Sequence, residues 1–224
     1  MKIVIGSAFR NSTRDYVQVY MDRVVALRAA LNGSTLRVHA VEGDSANNTV
    51  GYLREEAADR KLPLEVVTRD HGGPVFGSTE QPERMTALSH VGNGILEGVQ
   101  DDDQVLFYVE SDLVWSPDVI LRLIDQLSPG RDVIAPMVFA GAAFYDIWGF
   151  RVNGHRFGSL PPYYASLSLS GLTPIDSAGS CLVMRAEVAR RARMTTGALV
   201  EFCANARAAG FKIFCDGRER IYHP

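Results

Sequence analysis

The sequence predicts an α/β fold: a mostly parallel central sheet flanked by helices, in one domain. Three observations carry this. Short apolar runs alternate with longer segments of helical period through the first half of the 224 residues, an order that a parallel sheet with covering helices satisfies best. The composition, 46% hydrophobic against 22% charged, is rich enough in apolar side chains for a sizeable core and argues against disorder. No internal repeat or linker-like stretch divides the chain, so a single unit over 1–224 is expected.

The elements follow in order. "KIVIG" reads as a buried strand, and after it Val17, Tyr20, Val24, Leu27 and Leu31 are spaced 3, 4, 3, 4 along one helical face that stops at Asn32-Gly33. "LRVHAV" is a second strand, "EGDSANN" a polar loop, "TVGYLREEAADRK" a helix and "LEVVT" a third strand. The Gly/Pro-rich loop "RDHGGPVFGSTEQP" leads into the helix "ERMTALSHVGNGILEGVQ", with Met85, Leu88, Ile95 and Val99 as expected core contacts. Asp101, Asp102 and Asp103 then form a turn that reads as solvated surface.

The strand "VLFYV" follows, and Ser116-Pro117 supply an N-cap and first residue for the helix "DVILRLIDQL". "DVIAPMV" is a further strand. Residues 139–173 lose regular period while carrying Phe144, Tyr145, Trp148, Phe150, Phe157, Tyr163 and Tyr164, the mark of a binding loop or of a loop with its own hydrophobic cluster. "PIDSAGSCLVMR" resumes the sheet, "AEVARRAR" and "GALVEFCANARAAG" are helices, and "FKIFC" is a last strand before the tail "DGRERIYHP".

A formal net charge of −3 gives no electrostatic footprint for nucleic acid or anionic membrane. Cys181, Cys203 and Cys215 are odd in number, contain no C-x-x-C pair and read as buried free thiols. The N-terminal apolar run is too short for a signal sequence or a span, so a cytoplasmic protein with no integral membrane association is expected.

The most hydrophobic strand ends on two acids, Glu110 and Asp112, in "QVLFYVESDLVWSPDVI". A carboxylate pair in that position is costly unless a positive partner arrives. In open α/β sheets the ligand crevice lies beyond the carboxyl ends of the strands, and oxygen ligands suit Mg2+ or Mn2+ carrying a phosphate. The plainer reading is that Asp112 only caps the next helix.

Beyond the pair itself, "VLFYVESDLVWSPDVILRLI" resembles the D-x-D region of GT-A-fold glycosyltransferases. "VEGDSANNTVGYL" resembles their nucleotide loop, "ERMTALSHVGNGIL" the helix preceding the D-x-D strand, "IDSAGSCLVMRAEV" the acceptor-side strand and "CDGRERIYHP" the closing strand. The pieces occur in the family's order along nearly the whole chain. The resemblance implies a GT-A-type sandwich, with a nucleotide-binding half over 1–109 and a metal and acceptor half over 110–224. It also implies a hexosyltransferase that moves a sugar from a nucleoside diphosphate sugar donor. Glu42 and Asp44 then lie near base and ribose, Arg84, Asn93 and Ser111 belong to the donor site, and Glu110, Asp112 and His223 hold Mn2+ or Mg2+.

One departure stands out. Inverting members carry an acidic pair before a Cys, and alignment on Cys203 puts Ala198 and Leu199 there. The candidates left for a catalytic base are Glu201, which lies about 200° around the helix from position 199, and Asp176 or Asp146. A retaining reaction needs no such base, so stereochemistry stays open. Nucleotidyl transfer to a sugar phosphate is a second reading, weakened because "GSAFRNSTR" lacks repeated glycines. A non-catalytic nucleotide-sugar binder is a third. The acceptor is open among saccharide, metabolite, lipid-linked sugar, protein and modified DNA base.

Overall fold

The computed structural model describes residues 1–76, 80–158, 160 and 171–224. Its first half is built from β1 (Lys2–Phe9), α1 (Arg14–Ala30), β2 (Thr35–Glu42), α2 (Thr49–Asp59), β3 (Leu64–Thr68), α3 (Pro82–Glu97) and β4 (Val105–Val109). There follow α4 (Pro117–Asp125), β5 (Val133–Ala140), β6 (Ala143–Phe144), β7 (Arg151–Val152), β8 (His155–Arg156), β9 (Leu172–Pro174), β10 (Cys181–Arg185), α5 (Ala186–Arg191), α6 (Ala198–Ala208) and β11 (Ile213–His223). The main sheet runs β3-β2-β1-β4-β10-β5-β11-β9, with β6 on β5. Strands β3, β2, β1 and β4 are mutually parallel; β10 runs antiparallel to both β4 and β5.

Local chemistry sets the helix starts. Thr13 caps α1 by accepting the Tyr16 amide, and Ser116 caps α4 by accepting the Val119 amide with Pro117 behind it. Helix α1 buries Val17, Tyr20, Met21, Val24 and Leu27, the face its spacing predicts. One apolar cluster, including Val24, Phe107 and Leu123, lies on one side of the sheet; the other, including Leu106, Phe150 and Phe202, lies on the opposite side. All three cysteines are free and buried. No helix among the described residues is long and apolar enough to cross a membrane.

Four sequence expectations change. Asp103 is buried, taking the Gln100 amide and pairing with Arg37, so the acidic turn is solvated only at Asp101 and Asp102. Leu88 is 40% exposed, because it sits on the rim of a cavity and not in the core. The last strand continues through the tail to His223: a register shift between Asp216 and Arg220 absorbs the polar stretch, and pairing with β5 resumes up to Ala140. The irregular segment contains the β7-β8 hairpin, turning at Asn153-Gly154 with positive φ, and an aromatic cluster. In that cluster Phe150 stands 5.3 Å from Phe144 and 4.4 Å from Phe157 between ring centroids. Tyr163 and Tyr164 lie outside the described residues.

Candidate functional site

The site is built where β4 ends. Pairing of β10 with β4 places Cys181 opposite Val109, and one residue further the Glu110 amide donates to the Ser180 carbonyl at 3.0 Å. The sheet therefore carries Glu110 to the cavity wall, where it is only partly exposed. Burial first, then the neighbouring Asp112 charge, push its carboxyl up to about 8.

Asp112 reaches the same region by a different route. Val114 exchanges two backbone hydrogen bonds with Tyr222, at 2.7 and 2.9 Å, which clips the 111–115 turn to the end of β11. His223 is thereby brought to Asp112, with Nε2 at 3.1 Å from Oδ2. The imidazole also stacks on Tyr145, centroids 4.1 Å apart and planes 17° from parallel. Asp112 Oδ1 is sealed from solvent and has no hydrogen-bond partner among the described residues. A buried carboxylate oxygen left unpaired is expensive, and a cation is the partner that removes the cost. Among the described residues no three His, Cys, Asp or Glu side chains already converge as a ligand set. The donor chemistry nonetheless fits Mg2+ or Mn2+: a carboxylate with a free oxygen, a second carboxyl that a cation would ionise, and an imidazole.

The loop after β2 is held by its own acids. Glu42 is buried and accepts the Ser45 amide at 3.0 Å. Asp44 adopts positive φ, 56°, and accepts the His71 amide at 2.8 Å, with His71 Nε2 at 3.3 Å. The backbone hydrogen bond from His71 leads the effects that hold the Asp44 carboxyl below its usual range. Both acids thus shape the loop that faces the 70–76 segment, where Arg10 bonds the carbonyls of Gly73 and Pro74.

The other expected donor-site residues separate. Arg84, in the first turns of α3, lines a cavity together with Glu110. Ser111 lies 3.5 Å from the Tyr16 hydroxyl. Asn93 is spent elsewhere: its amide donates to the Met194 carbonyl at 2.8 Å and accepts the Met194 amide at 3.0 Å, pinning the loop before α6. With each end of its amide engaged once, Asn93 positions that loop.

Of the three expected bases, Asp176 and Glu201 do not line the cavity. Asp176 accepts the Gly154 amide at 2.6 Å and pairs with Arg207 at 2.9 Å, which fixes the β7-β8 turn. Glu201 folds back on its own helix start, accepting the amides of Thr195, Thr196 and Gly197 and the Thr195 hydroxyl. Burial raises its carboxyl, but these hydrogen bonds outweigh that and hold it at about 2. A carboxylate so stabilised is a poor proton acceptor. Glu201→Ala is therefore expected to cost about 1 kcal/mol, because water replaces the carboxylate at the exposed Thr195 and Thr196 amides. Urea unfolding checks this, and the pH profile of any turnover is expected to stay unchanged.

The acid that does reach the cavity is Asp146. Its cavity, about 330 Å³, is also lined by Met85, Tyr145, Trp148 and Leu199. Asp146 is 6% exposed and accepts the Gly179 amide at 2.6 Å. Burial raises its carboxyl to about 7, against the opposing pull of the Gly179, Gly149 and Ser180 amides. This arrangement requires glycine in both facing loops: a Cβ at Gly149 would stand 2.5 Å from the Gly179 Cα. The sequence shows both glycines but nothing that pairs them.

No protein-family model matches the chain, and no curated protein sequence does either. Solved structures do. A mannosyltransferase from Pyrobaculum calidifontis, PcManGT, in complex with GDP-Man and Mn2+, matches 98% of this chain at TM-score 0.63 and 11% identity. S. aureus TarS in complex with UDP-GlcNAc matches 99% at TM-score 0.57 and 15% identity, and GalNAc-T7 with UDP, GalNAc and Mn2+ matches 99% at 0.57 and 13%. The chain spans 56%, 58% and 43% of those three chains. The fold is therefore the GT-A type found in nucleotide-sugar glycosyltransferases.

Proposed function

We propose that this chain is a metal-dependent glycosyltransferase, transferring a hexosyl group from a nucleoside diphosphate sugar to an acceptor hydroxyl. The observation that carries the reading is Asp112 Oδ1, unpartnered among the described residues, near the partly buried Glu110 at the strand end where a GT-A fold opens its crevice. Asp112, His223 and Glu110 would hold the cation, Mn2+ or Mg2+. When bound, such a cation offsets the diphosphate charge and stabilises the leaving group.

The chain's own residues supply the rest. The loop shaped by Glu42 and Asp44 lies at the end of β2, two strands from β4 in the same sheet, and offers the nucleoside subsite. Arg84 adds a positive charge on the cavity side of Glu110. Tyr145 holds the His223 ring in place by stacking. Asp146, near half-ionised at neutral pH, is the acid positioned to take a proton from an acceptor hydroxyl in the cavity.

The experiment is donor hydrolysis. UDP- and GDP-linked hexoses are incubated with the protein and Mn2+, and released nucleoside diphosphate is measured. Slow release with one donor, abolished by EDTA, is expected. Mn2+-dependent binding without release from any donor would instead favour a non-catalytic binder, a reading that Ala198 and Leu199 on the cavity wall keep open.

A further inference from the structure

The two acids at the end of β4 belong to one tight turn. The Leu113 amide donates to the Glu110 carbonyl at 3.2 Å, which closes residues 110–113 into a β-turn with Glu110 first and Asp112 third. A metal site built on such a pair needs its carboxylates held to within about 0.5 Å, and that accuracy comes from the groups that fix the turn. On one side the fixing group is β11, which holds Val114 through Tyr222.

On the other side the turn meets α1. Arg23, half-buried, donates from Nη1 to the Leu113 carbonyl at 3.1 Å. Seven residues earlier, close to two helical turns and so on the same face, the Tyr16 hydroxyl reaches Ser111 Oγ at 3.5 Å. Both residues that flank Asp112 therefore touch α1. The Leu113 side chain adds to the hold, since it is fully buried in the apolar cluster that also contains Val17, Tyr20 and Val24.

Helix α1 is itself anchored at the nucleoside end. Just before it, the Asn11 amide donates to Ser45 Oγ at 2.8 Å, the Ser12 amide to Thr49 Oγ1 at 3.0 Å, and the Asn47 side chain to the Ser12 carbonyl at 3.0 Å. The helix thus runs from the loop shaped by Glu42 and Asp44 to the turn that carries Asp112.

We propose that Arg23 is a positioning residue for the metal site: by holding the Leu113 carbonyl it sets the direction of the Asp112 carboxylate without being a ligand. This rests on the glycosyltransferase reading and adds to it a residue on α1. The sign of the effect separates this role from two others. A guanidinium near a cation site repels the cation, so a residue acting through charge alone tightens metal binding when it is removed. A residue that serves only the core lowers the melting temperature and leaves metal affinity alone. A positioning residue weakens metal binding when removed, against the electrostatic trend.

The test is a Mn2+ titration read by electron paramagnetic resonance, with UDP or GDP present, on wild type, Arg23→Met and Arg23→Lys. Methionine keeps most of the apolar stem and loses the donor; lysine keeps a donor for the same carbonyl. Arg23→Met is expected to bind Mn2+ about tenfold more weakly, and Arg23→Lys to come within about threefold of wild type. Nucleotide binding in EDTA is expected to be unchanged in both, which reports an intact fold and nucleoside loop. Mn2+ affinity in Arg23→Met equal to or tighter than wild type overturns the proposal. A loss that Arg23→Lys shares in full, or that extends to nucleotide binding in EDTA, overturns it as well. If wild type takes up no Mn2+ beyond the nucleotide's own, the metal site fails and the proposal with it; uptake by wild type that Arg23→Met matches removes the proposal alone.

Discussion

Replacing Asp112 by Asn is expected to weaken UDP and GDP binding in the presence of Mn2+ by about 100-fold, or about 2.8 kcal/mol, and to leave the weaker binding seen in EDTA unchanged. An amide keeps the size of the side chain while removing its charge. It also keeps a contact to His223 Nε2, now 3.1 Å from Oδ2, so the clip between the 111–115 turn and β11 survives. Stability is expected to hold or rise, because the unpaired Oδ1 is a cost to the metal-free fold. Calorimetric titration of the nucleotide with and without Mn2+, beside a thermal melt, checks both halves. Unchanged Mn2+ dependence in the variant removes Asp112 from the metal.

Raising the pH is expected to destabilise the metal-free protein through Asp146. Its folded pKa, about 7, lies above that of an unfolded Asp, so the protonated folded carboxyl contributes stability that is complete in acid and lost as pH climbs. The loss accumulates from about pH 4, where the unfolded chain ionises, to about pH 7, at about 1.4 kcal/mol per unit. Glu110, raised to about 8, adds to the loss with the same sign. Depressed carboxyls such as Glu201 act oppositely, losing stability as pH falls below about 4.5. The clean quantity is therefore the difference between wild type and Asp146→Asn, measured by urea unfolding from pH 5 to pH 8. Asparagine does not ionise and can still accept an amide. The variant is expected to gain on wild type as pH rises, by up to about 3 kcal/mol over that range. A difference that stays flat means Asp146 is already ionised at pH 5.

The contrast between what the sequence revealed and what it hid follows sequence distance. Helix faces, caps at Thr13 and Ser116, and the strand ending on Glu110 rest on neighbours within a few residues, so periodicity and side-chain type suffice. His223 was placed only by resemblance; the physical reason it meets Asp112 is the Val114-Tyr222 bridge, a pairing across more than a hundred residues. Asn93 shows the opposite outcome, since its partner is the Met194 backbone and no local pattern signals that. Asp103 reads as surface because its partner, Arg37, is on β2, far from the turn in sequence. Glu201 departs from expectation for a local reason: the chain before α6 turns back so that three amides reach one carboxylate, a geometry that residue types alone do not report.

The most direct test of a cation held by Glu110, Asp112 and His223 for a nucleoside diphosphate is a count of bound Mn2+ by electron paramagnetic resonance, which sees the free aqueous ion. Wild-type protein with UDP or GDP is expected to remove one Mn2+ per chain beyond what the nucleotide alone removes. The double variant Glu110→Gln, Asp112→Asn is expected to remove none. Equal Mn2+ uptake by wild type and double variant, or no uptake beyond the nucleotide's own, contradicts the site.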